Sequence, residues 1–126
     1  NIERVRGSDY NDEILGNGGN NRLEGGLGDD QISGLGGNDT LIGGDGDDLF
    51  TFADGEGNDT INDFVAGVGT DDQIDFSAVA LLNNFADVQA NVSQVGFDAV
   101  IDLGGGNSVT LIGVDLLNLH QDDFLF

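Results

Sequence analysis

The chain has no cysteine, proline, methionine, tryptophan or lysine, and only three basic residues in 126: Arg4, Arg6 and Arg22. Without cysteine there is no disulfide framework, thiol nucleophile or thiolate metal site, so composition leaves the redox compartment open. Three arginines against 24 acidic residues give a formal net charge of −21. That balance excludes a nucleic-acid or anionic-membrane partner, because phosphate binding needs a basic footprint. No apolar run approaches the length of a membrane span. With no methionine at position 1, the sequence is expected to be a piece of something longer or a processed form, so a missing signal peptide carries no information.

What is present is glycine, 22 residues of it, and a hydrophobic fraction of 38%. So much like charge opposes compaction, yet the apolar content is high for a permanently disordered acidic chain. Together these point to a conditional fold in which a bound cation is the condition.

Cut at intervals of nine, the chain from Gly7 runs GSDYNDEIL, GNGGNNRLE, GGLGDDQIS, GLGGNDTLI and GGDGDDLFT, then after a two-residue slip DGEGNDTIN from Asp54 to Asn62. In register the sixth position is Asp12, Asn21, Asp30, Asp39, Asp48 and Asp59, and the eighth is Ile14, Leu23, Ile32, Leu41, Phe50 and Ile61. The first half of each unit is Gly, Asn and Asp, which make tight turns whose carbonyls can point at a common centre. The last three residues form a very short strand with one inward side chain. One apolar residue per unit cannot make a core, but stacked units can. Two units per coil would bring Asp12 near Asp30, Asn21 near Asp39 and Asp30 near Asp48. Carboxylates so placed repel unless a divalent cation lies between them. Oxygen donors in flexible glycine-rich loops favour Ca²⁺ over Zn²⁺ and Mg²⁺.

The nonapeptide G-G-x-G-x-D-x-U-x is the calcium-binding repeat of RTX (repeats-in-toxin) proteins. GGLGDDQIS, GLGGNDTLI and GGDGDDLFT closely resemble it. The resemblance implies an all-β fold: a right-handed parallel β-roll with two nonapeptides per coil and a row of Ca²⁺ ions along each edge. The position-six side chains and turn carbonyls would hold those ions. Two departures stand out. Asn21 replaces the acid of the second unit, removing one charge, and Tyr10 stands where the fourth-position glycine of the first unit belongs.

From residue 63 the composition changes: 15 of the 22 glycines precede that point. Residues 1–62 are therefore expected to be the roll, and 63–126 a small β-rich C-terminal cap with one short helix. Ile74 and Phe76 share one side of a strand. Phe85, Val88 and Val92 form a helical stripe behind the candidate caps Asn83 and Asn84. Phe97, Ala99, Ile101 and Leu103 alternate with polar and mixed positions, and Gly104 to Asn107 turn the chain into Val109 to Leu111, a hairpin.

This half resembles the C-terminal segment that follows RTX repeats in type I secretion substrates. Asp63-Phe64 and Asp72-Gln73-Ile74-Asp75-Phe76-Ser77 match the stretch leaving the roll, and Asp123-Phe124-Leu125-Phe126 match the terminal secretion signal. By that resemblance Asp63 and Asp72 hold one more Ca²⁺ where roll meets cap. It also implies a bacterial protein that is secreted, extracellular or at the cell surface, whose partners are the type I secretion machinery in the unfolded state and an upstream catalytic or adhesive domain of the same chain. Phe124 and Phe126 also fit a last edge strand, and both descriptions can hold.

Catalysis is not expected. His120 is the only histidine, the serines Ser8, Ser33, Ser77, Ser93 and Ser108 are scattered, and there is no nucleophile elbow. GNGGNN lacks the lysine and helix of a phosphate loop. The leading expectation is a calcium-dependent folding and export module. The alternative is a Ca²⁺-dependent glycan- or surface-binding module, for which Tyr10 and the three arginines are the available side chains. An ice-binding surface would need a threonine ladder, which Thr40, Thr51 and Thr60 are not expected to form.

Overall fold

In the computed structural model, residues 3–67 and 72–126 are described. Each nonapeptide contributes one strand built on its last few residues, and two of these strands run on through the opening glycines of the following unit, at Gly25 and Gly26 and at Gly43 and Gly44, before the chain turns. The strands are β1 (Glu3–Arg6), β2 (Glu13–Leu15), β3 (Asn21–Leu27), β4 (Gln31–Ser33), β5 (Thr40–Asp45), β6 (Leu49–Ala53) and β7 (Asn58–Ile61). Odd and even strands fall in different sheets, and successive strands within a sheet are parallel. Glu13 pairs with Gln31 and Gln31 with Leu49, so a coil is eighteen residues, or two nonapeptides. The slip before Asp54 lengthens the later step, which pairs Leu41 with Ile61.

After the repeats come β8 (Gln73–Ala78), helix α1 (Phe85–Asn91), β9 (Val92–Val95), β10 (Asp98–Gly104), β11 (Asn107–Leu111), two short 3₁₀ turns and β12 (Phe124–Leu125). The stripe Phe85, Val88 and Val92 lies on or just after α1, whose N-cap is Asn84: its Oδ1 accepts the Asp87 N–H at 3.0 Å. β10 and β11 are the expected antiparallel hairpin. Phe97, however, is 90% exposed, and β10 begins one residue after it. The side chain sits on the turn from β9, where period-two alternation no longer governs direction.

These later elements extend both sheets of the roll. The seven-stranded sheet has the order β1-β3-β5-β7-β11-β10-β9 and the five-stranded sheet β12-β8-β6-β4-β2. One inward row therefore runs Leu23, Leu41, Ile61, Leu111, Ala99, and the other Ile14, Ile32, Phe50, Ile74, Phe124. All ten are buried in a single core. At the C-terminal end of the stack the aromatic rings concentrate: Phe124 stacks on Phe76 at 5.6 Å and on Phe85 at 6.0 Å. A parallel solenoid exposes its last coil, and β9 to β12 with α1 cover it.

Candidate metal centre

Position six does two jobs with its two oxygens. Stacking at eighteen residues brings each position-six backbone N–H against the side chain of the next coil. The Asp12 N–H donates to Asp30 Oδ1 (2.8 Å), Asn21 to Asp39 (2.7 Å), Asp30 to Asp48 (3.0 Å), Asp39 to Asp59 (2.8 Å) and Asp48 to Asp72 (3.1 Å). One oxygen of each acceptor stitches coil to coil. The second oxygen of Asp30, Asp39 and Asp48 is buried without a hydrogen-bond partner. A buried carboxylate oxygen left this way is costly unless a cation meets it.

The first glycine of each unit explains what those oxygens face. A Cβ placed on Gly25 would collide with Asp30 Oδ2 and with the carbonyl oxygen of Gly43, one coil on. Gly7 stands likewise against Asp12 Oδ2 and the Gly25 carbonyl, and Gly16 against Asn21 Oδ1 and the Gly34 carbonyl. Glycine thus keeps open a space walled by a side-chain oxygen and a carbonyl from the adjacent coil. Among the described residues no group of three or more acidic or histidine side chains could hold a metal by itself. A cation would take mixed carboxylate and carbonyl oxygens, the hard donor set that suits Ca²⁺.

The sites are not equal. Asp12 already receives Ser8, whose N–H donates to Oδ2 at 2.6 Å and whose hydroxyl contacts both oxygens. Asn21 Oδ1 accepts the Asn17 N–H at 2.9 Å and carries no charge. Asp63 replaces the glycine of the next coil: its carboxylate turns back to accept the N–H groups of Gly43 (3.0 Å) and Gly44 (2.8 Å). Asp72 accepts from Asp48 and, on Oδ2, from Val65 at 3.0 Å. Asp63 and Asp72 thus bind different N–H groups, and both add to the negative field at Asp48.

A second column was missed in the sequence. Position five is Asn11, Asn20, Asp29, Asn38, Asp47 and Asn58, and its bonds run the opposite way. Asn11 accepts from the Asp29 N–H, Asp29 from Asp47, Asn20 from Asn38 and Asn38 from Asn58, all at 2.8–2.9 Å. The signal was available, since every residue of that column is Asn or Asp.

Burial pushes the carboxyls of Asp30 and Asp39 up from their ordinary range. It pushes Asp48 up to about 7 against the lowering effect of the Asp30 N–H, with Asp72, Asp30 and Asp63 adding to the rise. Asp59 is likewise raised by burial to about 7, with Asp39 and Glu56 contributing. Protonation therefore favours the fold when no cation is bound. Its contribution is fully present below the unfolded carboxyl range near 4 and is lost as pH rises through about 7. In EDTA, circular dichroism should show more folded chain at pH 5 than at pH 8; stability rising with pH under chelation would contradict this account.

The terminal residues are folded in. Asp123 is fully buried: its Oδ2 accepts the His120 N–H at 2.6 Å and its Oδ1 the Gly67 N–H at 3.0 Å. Phe124 and Leu125 pair with Ile74 and Asp75, and Phe126 lies 6.2 Å from Phe124. His120 Nδ1 accepts the Asp122 N–H at 3.1 Å, a capping contact, and no serine is among its hydrogen-bond partners in the described residues.

Fold and donor set define a class, a parallel β-roll with carboxylate and carbonyl oxygens gathered between its coils. Residues 1–32 and 24–56 match the RTX calcium-binding nonapeptide repeat, in four copies. The first 56 residues of the chain thus carry RTX calcium-binding nonapeptide repeats. The chain is similar to the extracellular lipase LipA from Serratia marcescens, with 23% identity and a TM-score of 0.65 over 98% of this chain and 20% of the lipase. It is also similar to the AlgE6R2 subunit of the mannuronan C5-epimerase from Azotobacter vinelandii, with 27% identity and a TM-score of 0.66 over 98% of this chain and 92% of that one. The chain thus spans one fifth of the lipase's length. No curated protein sequence matches it.

Proposed function

We propose that this chain is a calcium-dependent folding module and export tag of a larger secreted bacterial protein, with a roll over 1–62 and a cap over 63–126. The observation that carries this is the set of buried, unpartnered oxygens on Asp30, Asp39 and Asp48. Asp12, Asn21, Asp59, Asp63 and Asp72 complete the ligand set, with the Asp12 and Asn21 positions the weaker. Bound Ca²⁺ supplies the positive charge that the acidic columns lack. The chain's own residues do the rest: the glycines keep the space open, and Oδ1 of Asp30, Asp39, Asp48, Asp59 and Asp72 holds the preceding coil in register.

With cytosolic calcium low, repulsion among the acids keeps the chain extended and Asp123, Phe124, Leu125 and Phe126 accessible to the type I machinery. Outside, those residues become β12 and its flank. The test is export from a bacterial host carrying a type I system. Deleting 123–126 should abolish export, while Leu117→Ser, at a residue 83% exposed, should leave it unchanged. Undiminished export of the truncated chain would rule out the tag.

A second reading, a glycan- or surface-binding module, has one observation in its favour. Arg4 and Arg22 are register partners on the outer face of the seven-stranded sheet, both bonded to Glu24 Oε1 at 2.9 Å, and Arg6 is on the same strand as Arg4. The row continues through Thr40, Thr60 and Thr110, a short threonine ladder that the sequence spacing concealed because Thr110 arrives from the cap. Thr51 belongs to the other sheet. A glycan array in millimolar Ca²⁺ separates the readings: calcium-dependent binding that Arg22→Ala removes would favour this one.

A further inference from the structure

GNGGNN is no phosphate loop, but it contains Asn17-Gly18, the only asparagine-glycine step in the sequence. Such a step carries its own chemistry, because glycine has no side chain to shield its backbone nitrogen from the preceding amide. In that reaction the Gly18 nitrogen bonds to Asn17 Cγ, the Cγ–Nδ2 bond breaks, and Nδ2 leaves as ammonia with the proton from the Gly18 nitrogen. Water then opens the succinimide ring and leaves aspartate or isoaspartate at residue 17. No reactant besides water is needed, and Asn17 and Gly18 are both exposed.

The folded turn holds the same amide. Asn17 Nδ2 donates to Glu3 Oε2 at 2.6 Å, and Asn17 Oδ1 accepts the Gly19 N–H at 2.8 Å and Asn21 Nδ2 at 3.2 Å. The Asn17 N–H in turn donates to Asn21 Oδ1 at 2.9 Å. Ring closure expels the nitrogen that Glu3 holds and swings Cγ toward the next residue, so these contacts oppose it. The Glu3 bond depends on the fold: Glu3 is on β1 and stands beside the turn because β1 pairs with β3, Glu3 in register with Asn21. Stacking of the first two coils is therefore a condition of the restraint.

We propose that Asn17-Gly18 is a site of spontaneous deamidation, closed in the stacked roll and open in the unfolded chain. The protection rests on the hydrogen bonds around Asn17; its link to calcium rests on the folding reading above. With calcium as the folding ligand, conversion at residue 17 records the time the chain has spent without it. The product has no Nδ2 to offer Glu3, and it sets a second carboxylate against the first.

The test incubates the whole chain at pH 8 in millimolar Ca²⁺, in EDTA, and in urea with EDTA. Circular dichroism follows folding, and mass spectrometry of tryptic peptide 7–22 follows the amide-to-acid exchange at residue 17. A group that reacts only in the open chain is modified in proportion to the open fraction, so conversion in Ca²⁺ should be at least about tenfold slower than in urea. Gly18→Ala should slow conversion in urea, because its methyl group shields the nitrogen, and it fits the folded turn, where a Cβ meets nothing within 4 Å. Equal rates in Ca²⁺ and urea, or a faster rate in Ca²⁺, would overturn the proposal, as would conversion in urea that Gly18→Ala leaves unchanged. A chain that keeps its folded spectrum and slow conversion in EDTA, yet converts in urea, would overturn the calcium reading and leave the protected site standing.

Discussion

Chelation at pH 7.5 is expected to unfold this chain, and millimolar Ca²⁺ to restore a β-rich far-ultraviolet spectrum. The expectation follows from charge and position together. Asp30, Asp39, Asp48 and Asp59 are all buried, and their coils are parallel and close, so the ionised columns oppose stacking. A site with a dissociation constant of about 0.1 mM contributes roughly 1.4 kcal/mol at about 1 mM Ca²⁺. Four such sites contribute about 6 kcal/mol, comparable to the whole stability of a small domain. Replacing Asp30, Asp39 and Asp48 together by Ala should abolish the calcium response, because it deletes the three unpartnered oxygens as well as three stitching bonds, two in one edge column and one in the other. His120→Ala should weaken the last turn and leave the calcium midpoint in place. A β-rich spectrum indifferent to EDTA would sink the folding switch.

Two glycine-to-alanine variants are expected to behave oppositely, although both exchange the same atoms. Gly25→Ala puts a methyl group against Asp30 Oδ2 and the Gly43 carbonyl. Neither neighbour is the free end of a flexible chain: the carboxylate is held by the Asp12 N–H and the carbonyl is backbone. The variant should lose a calcium site and several degrees of melting temperature in Ca²⁺, as overpacking of about 1–3 kcal/mol does in a small domain. Gly18→Ala meets nothing within 4 Å and lies outside the positive-φ region. It should be neutral or slightly stabilising, because alanine has less freedom to lose on folding. Calorimetric melting in Ca²⁺ and in EDTA checks both. Equal losses in the two variants would mean that the first glycine serves the turn and not a cation.

Much of this site is visible in the one-dimensional pattern because a solenoid converts sequence period into spatial contact. Asp12, Asp30 and Asp48 are eighteen residues apart, and the structure bonds them in that order. The inward apolar column was equally legible from Ile14 to Ile61. Where the period breaks, legibility stops. Glu56 lies in the slipped unit, and its bond to the Ala53 N–H depends on how the inserted turn folds back. Phe97 extends an alternating pattern and is still exposed, because a turn, not a strand, sets its direction. Thr60 and Thr110 are fifty residues apart, and no local rule brings β11 beside β7.

The sequence by itself determined the coil: its nine-residue unit, its two-unit turn, its apolar seam and the acid and glycine columns at its edges. These are local or nearest-neighbour properties, repeated, so each unit carries its own instruction. Only the tertiary structure decided how the roll ends. β11 and β12 each join a repeat-derived sheet across fifty residues, Asp63 bends back to Gly43 and Gly44, and Phe124 closes the aromatic stack. Those choices depend on which distant surface best covers the last coil's open edges and apolar row. That is a property of the packed whole, which a repeating code does not contain.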